Sequence, residues 1–184
     1  IIDLEKVYEA QSENTKSYKD RNSFSISQAV DSLRERGINN SYGACYYPWV
    51  RIQDTATGAP LWAPPSIVAL GTMASSEQRS ELWFAPAGFN RGALSFVSNV
   101  ENRLSANDRD DLYDARINPI ATFPRAGFVV FGQKTLQVAQ SALDRINVRR
   151  MLIDVKRRIS AVALKLVFEQ NNTGTRARFV AEAA

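Results

Sequence analysis

The 184-residue sequence contains no histidine. That removes the usual general base and metal ligand together with every Ser-His or Cys-His catalytic arrangement. A single cysteine, Cys45, excludes an internal disulfide and a cysteine-based zinc site. It lies in a strand-like run, where a buried free thiol is the expected role. Neither G-x-G-x-x-G nor G-x-x-x-x-G-K-[ST] occurs, so no phosphate-cradling loop is encoded. There is no apolar run of membrane-spanning length and no basic, apolar, small-residue leader, which predicts a soluble chain made in the cytosol. Asp108, Asp110, Asp111 and Asp114 could in principle form a carboxylate pair for hydrolysis. The first turn of a helix explains them more simply, because carboxylates are favoured there by the helix dipole. A calcium loop counted from Asp108 fails, since Tyr113 and Pro119 fall where glycine and glutamate are needed. An enzyme is not expected, and neither is a cofactor or a bound metal.

What remains is enough for one domain: 45% of the residues are apolar, and aromatics are plentiful. The net charge is +4 and the sequence pI about 9.4. The charge is unevenly placed, with Arg145, Arg149, Arg150, Lys156, Arg157 and Arg158 set against only Asp144 and Asp154 in the stretch 144–158. Such a cluster can attract nucleic acid, an anionic surface or an acidic protein, or it can be a solvated helix face. Single-strand binders interleave basic and aromatic residues. No aromatic residue occurs within 144–158, which leaves phosphate-only contacts as the nucleic-acid alternative.

Along the chain, Ile1–Leu4 reads as a strand and 5–22 as a polar loop. Ser25 or Ser27 caps a helix carrying Ile26, Ala29, Val30 and Leu33, closed by Gly37. After a turn at 39–43, Ala44–Ile52 is strand-like, and Pro48 implies an edge strand or a bulge. Asp54–Gly58 turns the chain. Leu61–Pro65 leads into a helix with Pro65 or Ser66 in its first turn and Ile67, Val68, Leu70, Gly71 and Met73 inward. Trp83–Gly88 is an irregular crossing and 89–92 a turn. Leu94, Val97, Val100 and Leu104 fit a strand or a short helix. Asn107 is read as the cap of the next helix, ended by Ile117–Ile120, and Phe128–Phe131 as a strand in the middle of a sheet. Ile146 and Val148 alternate with Arg145, Asn147 and Arg149 as in a strand. From Met151, apolar residues at Leu152, Val155, Ile159, Val162, Ala163, Leu166 and Val167 draw one stripe of a helix reaching Phe168–Gln170, expected to lie on a core with its basic side outward. Residues 175–184 are expected to extend as a strand or to fray.

Four segments also resemble one family. Trp83-Phe-Ala-Pro-Ala-Gly-Phe-Asn-Arg-Gly92, Asp111-Leu-Tyr-Asp-Ala-Arg-Ile-Asn-Pro119, Gly127-Phe-Val-Val-Phe-Gly-Gln-Lys-Thr135 and Arg145-Ile-Asn-Val-Arg-Arg150, followed by a helix and Phe168-Glu-Gln-Asn-Asn172, are similar in order and spacing to motifs of contractile phage tail sheath proteins. Glu77 and Leu82 depart from the pattern, near places where the family often has aspartate and glycine. The resemblance covers 44–179, with 1–43 a looser N-terminal part of the same single domain, 1–184.

The resemblance implies an α+β fold, a mixed β-sheet flanked by helices, within a longer chain. An upstream portion and a C-terminal arm beyond Ala184 would complete it, so the piece alone is expected to be monomeric. It further implies a structural subunit that polymerises with copies of itself around the tail tube protein. The polymer is triggered by the baseplate and contracts to drive the tube through the host envelope for genome ejection. The location would be the virion tail, assembled in the host cytoplasm, without membrane insertion or nucleic-acid binding. Arg149 and Arg150 fall on the Asn-Val-Arg-Arg motif. One is expected to order the core, while the other, with Lys156, Arg157 or Arg158, meets a neighbour or the tube; both could equally be satisfied within the subunit. The alternatives are the sheath of a contractile bacteriocin or type VI secretion system and, from another class, a basic nucleic-acid-binding module.

Overall fold

The computed structural model describes residues 25–183. The strand and loop expected within 1–22 lie outside them.

Helix α1 (Ile26–Glu35) begins where Ser25 and Gln28 form a reciprocal capping box, and Gly37 takes the left-handed conformation (φ +57°) just past its end. Pro48 separates β1 (Cys45–Tyr47) from β2 (Val50–Gln53), and the two strands enter different sheets. The proline is therefore a joint between sheets, with β1 at the edge of its own. Asp54–Gly58 turns β2 into β3 (Pro60–Ala63), and α2 (Pro65–Arg79) follows with Pro65 in its first turn. A single helical turn, α3 (Gly88–Arg91), precedes β4 (Val97–Val100), and α4 (Ala106–Asp114) leads into β5 (Ile117–Phe123) and β6 (Gly127–Val130). The long helix α5 (Ile146–Leu164) and the final helix α6 (Thr173–Ala183) complete the chain.

The first sheet has the order β1-β5-β6, with β1 parallel and β6 antiparallel to β5; the second, β3-β2-β4, is antiparallel, with an irregularity at Arg51/Ile52. The fold is thus α+β. The first sheet lies between two cores. Tyr46, Ile120 and Val130 join Val50, Ala63, Val68, Val97 and Val100 on one side, whereas Cys45, Tyr47 and Ile117 join Ala29, Leu33, Leu104, Leu112 and Leu136 on the other. The alternation Cys45/Tyr46/Tyr47 is the two-faced pleat of a strand buried on both sides. Cys45 is buried and outside any disulfide.

Several expectations are corrected. The run 117–120 does not end a helix; it opens the central strand, reached through the left-handed Arg116 (φ 64°). Pro119 is tolerated because its carbonyl already accepts Phe131 N–H, so the missing donor faces the same side, past the end of β6. Phe128–Phe131 as a central strand is likewise replaced, since Phe128, Val129 and Val130 lie in β6 beside the true centre. Residues 92–94 cover the outer side of β6, through Leu94 N–H to Phe128 O and Val130 N–H to Gly92 O. The cap of α4 is Ser105, in a capping box with Asp108, and Asn107 lies inside the helix. On α2 the buried line is Val68, Ala69, Thr72 and Ser76, while Ile67, Leu70 and Gly71 face outward.

Gly92 is required by space. A Cβ there would sit 2.6 Å from Val130 O and 2.8 Å from both Gly88 N and Gly88 O, all of them backbone atoms. Gly92→Ala should therefore destabilise the protein by about 1–3 kcal/mol, the range typical of overpacking and backbone displacement. Thermal unfolding followed by circular dichroism checks this, and an unchanged Tm would refute the argument.

Candidate assembly interface

The alternation at 145–149 is not a strand. Arg145 is extended and bridges to Lys134, and α5 starts at Ile146. Its first two turns are fastened to the body. Ile146 N–H donates to Gln133 O at 2.8 Å, and its side chain enters the core. Asn147 Nδ2 donates to Trp83 O at 3.1 Å. Arg149 donates to the Ser41 hydroxyl and lies 4.2 Å from the Tyr42 ring centroid. Arg150 Nη2 meets Glu77 Oε2 at 3.0 Å. Both arginines are half-buried, and Arg149 Nε and Arg150 Nη1 are buried without an acceptor among the described residues. The neighbouring Tyr46 supplies no anion, because burial pushes its phenol well above the ordinary value despite the opposing charge of Arg150.

Further along, Arg157 Nη2 and Arg158 Nε close on the two carboxylate oxygens of Asp154 at 2.6 and 2.7 Å. The hydrogen bond from Arg157, then that from Arg158, holds the Asp154 carboxyl below the usual carboxylate range. The lowered value means that the clamp is intact above the ordinary carboxylate pKa and opens only as pH falls through the depressed one. Lys156 is exposed. The predicted basic side is therefore largely occupied: Arg150 by Glu77, Arg157 and Arg158 by Asp154, and Arg145 by Asp144 at 3.2 Å. Sequence reasoning did not find Glu77 as a partner, nor Tyr113, which accepts from Arg145 Nη1 at 2.6 Å while Lys134 Nζ lies 3.6 Å from its ring centroid. These pairings join residues 21 to 73 positions apart and leave no local pattern.

Beyond Asp154 the helix lies on no core formed by the described residues, contrary to the expectation for its apolar stripe. It ends at Leu164, and 175–183 is helical where a strand or frayed end was expected. α6 runs back along α5, with Lys165–Glu182 at 3.3 Å and Glu169–Arg178 at 3.8 Å. Exposed pairs of this kind contribute little. Val162, Leu166 and Phe179 are half-buried in this hairpin. Leu152, Val155, Ile159, Leu164, Val167 and Val180 are exposed, and Phe168 is fully so. Of these, Leu152, Val155 and Ile159 follow one another at helical spacing, and an exposed apolar row of this kind marks an interaction site in a folded protein. Among the described residues, no group of three or more His, Cys, Asp or Glu could hold a metal, and no helix is long and apolar enough to cross a membrane.

The fold and the projecting helical hairpin define a class, the contractile sheath subunits. The chain matches the sheath complex of an extracellular contractile injection system in the contracted state with a TM-score of 0.73 and 27% identity, covering 86% of this chain and 43% of that one. It matches a chain of the anti-feeding prophage baseplate with a TM-score of 0.70 and 26% identity, covering 96% and 46%. Sequence narrows the class to relatives of phage tail sheath proteins. The chain is 41% identical to the tail sheath protein of Vibrio phage KVP40 over 121 residues, 66% of this chain and 18% of that protein. It is 36% identical to that of Enterobacteria phage T4 over 123 residues, 67% and 19%, and 33% identical to that of Salmonella phage ViI over 151 residues, 82% and 24%. The chain thus spans between 18% and 24% of the length of these relatives. No protein-family model matches it.

Proposed function

We propose that this chain is part of a contractile tail sheath subunit, a structural element that polymerises around the tail tube, engages the baseplate and contracts to drive the tube through the host envelope. The carrying observation is the match of nearly the whole chain to sheath and baseplate assemblies of contractile devices. The apolar row of α5, exposed among the described residues, supports it, since a partner surface in an assembly would give that row cover. Energy for contraction would come from contacts that are better in the contracted state, so no nucleotide is needed. The location is the virion tail, with assembly in the host cytoplasm. The solved structures favour a second reading, an injection device derived from a phage. The higher identity to the phage proteins favours the virion. A nucleic-acid-binding role fits less well, because most arginines of the basic stretch already hold carboxylates.

Electron microscopy of the protein carried in its parent polypeptide, alone and with its tube protein, tests the proposal: hollow cylinders are expected, and dispersed particles under both conditions would refute it. In the same assay, Arg157→Glu or Arg158→Glu should impair tube-templated assembly and leave the fold intact, as judged by circular dichroism. Normal cylinders from both variants would remove these residues from the interface.

A further inference from the structure

Three aromatic rings meet on one face of the β5–β6 pair. Phe89 of α3, Phe123 at the end of β5 and Phe131 just past β6 pack on one another, with ring centroids 5.0 to 5.8 Å apart. They are not hidden: Phe89 is 53% exposed and Phe131 40%. Phe89 and Phe123 also line an open recess of about 530 Å³, completed by Pro124, Arg125 and Ala126 of the turn between the strands, with walls almost wholly apolar. Arg109 of α4 lies over the Phe123 and Phe131 rings, 5.3 and 5.9 Å from their centroids. Neither Arg109 nor Arg125 forms an ion pair with a described residue. The carboxylate beside Arg109, that of Asp108, accepts the Ser105 N–H at 2.8 Å in the cap of α4.

We propose that this recess docks an acidic segment of another protein, with one apolar side chain seated against Phe89 and Phe123 and a neighbouring carboxylate set toward Arg125. Its volume lies in the range of about 300–1,000 Å³ typical of sites that enclose a ligand group. Rings already packed on one another lose little freedom when a partner arrives, and aromatic and arginine side chains are the types that dominate binding at interfaces. The charge of the rim selects the partner: two unpaired guanidiniums attract carboxylates and repel cations. That argues against a second copy of the chain. Its exposed apolar row on α5 is flanked by Lys156, Arg157 and Arg158, with Asp154 the one carboxylate among them. Its acidic face on α4, Asp110, Asp111 and Asp114, has no exposed large apolar side chain to offer. Single-stranded nucleic acid fits less well than an acidic segment, because the rings stand at 54° to 71° to one another and present no row of parallel faces on which successive bases could stack.

Three end-blocked tripeptides test this, Asp-Phe-Asp, Ser-Phe-Ser and Lys-Phe-Lys, each with para-fluorophenylalanine at its centre. Their fluorine resonances are followed as the chain, carried in its parent polypeptide, is added. The acidic peptide should bind saturably and about tenfold more tightly than the basic one, with the neutral one between them. Arg125→Glu, on an exposed turn, should cancel or reverse that order with the circular dichroism spectrum unchanged, and Phe89→Ala should weaken all three peptides together. Equal binding of the three, or an order unchanged by Arg125→Glu, would overturn the acidic partner. Binding unaffected by Phe89→Ala, or no saturable binding at all, would overturn the recess as a site. Displacement of the acidic peptide by a short oligothymidylate that binds more tightly would overturn the proposal in favour of nucleic acid. The titration needs no polymer, so its failure leaves the sheath reading standing, and a failure to form cylinders leaves the recess to be judged by the peptides.

Discussion

Asn118→Leu should lower stability by about 3–5 kcal/mol, and Tm by roughly 10 °C, with little change in packed volume. The side chain is fully buried. Its Nδ2 donates to Cys45 O and Lys134 O, both at 2.9 Å, and its Oδ1 accepts Lys134 N–H at 2.6 Å. One amide thereby joins β1, β5 and the segment after β6, three pieces of chain without adjacent places in the sequence. Leucine would leave the Lys134 carbonyl and N–H without these partners and take one donor from the Cys45 carbonyl, at about 1–3 kcal/mol for each lost partner before relaxation. Because the lost groups are backbone, their neighbours cannot turn to water without moving a strand. Thermal unfolding measures the effect, and a fall in Tm below about 3 °C would show that water or relaxation satisfies the freed groups.

The second large effect is expected on assembly and hardly at all on folding. Val155→Asp with Ile159→Asp puts two charges on the exposed apolar row of α5. Since both side chains already face solvent, stability should change by no more than about 1 kcal/mol. Cylinder formation should be lost almost entirely, because a partner covering this row would have to bury two unpaired carboxylates. Ala161→Asp is the control. At 100° per residue it lies on the opposite side of the helix, and the substitution should leave cylinders intact. Cylinders of normal length from the double variant would show that the row stays bare in the assembly.

Local chemistry was legible in the sequence. Ser25, one of the two caps offered, Gly37, Pro65 and the Asp54–Gly58 turn act within a few residues of themselves and stand where the pattern placed them; the pairing of Ser25 with Gln28 was not read. The sheath resemblance was carried by short motifs, and the α+β class followed from it. What could not be read depends on distant partners. Periodicity located the apolar stripe of α5 but carries no information on what covers it. Alternation over four residues at Ile146 could not separate a strand from the first turn of a helix. Pro119 looked like a terminator because its missing N–H is harmless only where β6 has ended. Asn107 was read as the cap of α4, and the reciprocal bond between Ser105 and Asp108, a pairing that was not sought, starts the helix two residues earlier. Of the five candidate contact residues, spacing gave the helix but not the carboxylates that hold them, since Glu77 arrives from another element and Asp154 was counted only as a charge.

The mounting of α5 has a mechanical consequence. Among the described residues, its hydrogen bonds to the body come from the first two turns and Asp154 is its last buried residue; the part beyond, together with α6, is a cantilever. Ten further residues at about 1.5 Å each reach roughly 15 Å past the last fastening. A tilt of about 10° at the base would carry the tip roughly 2.6 Å sideways, half a helical turn, while displacing the fastened groups by far less. In the proposed stack of identical subunits, such an arm would convert small angular adjustments at each root into a change of register at each tip.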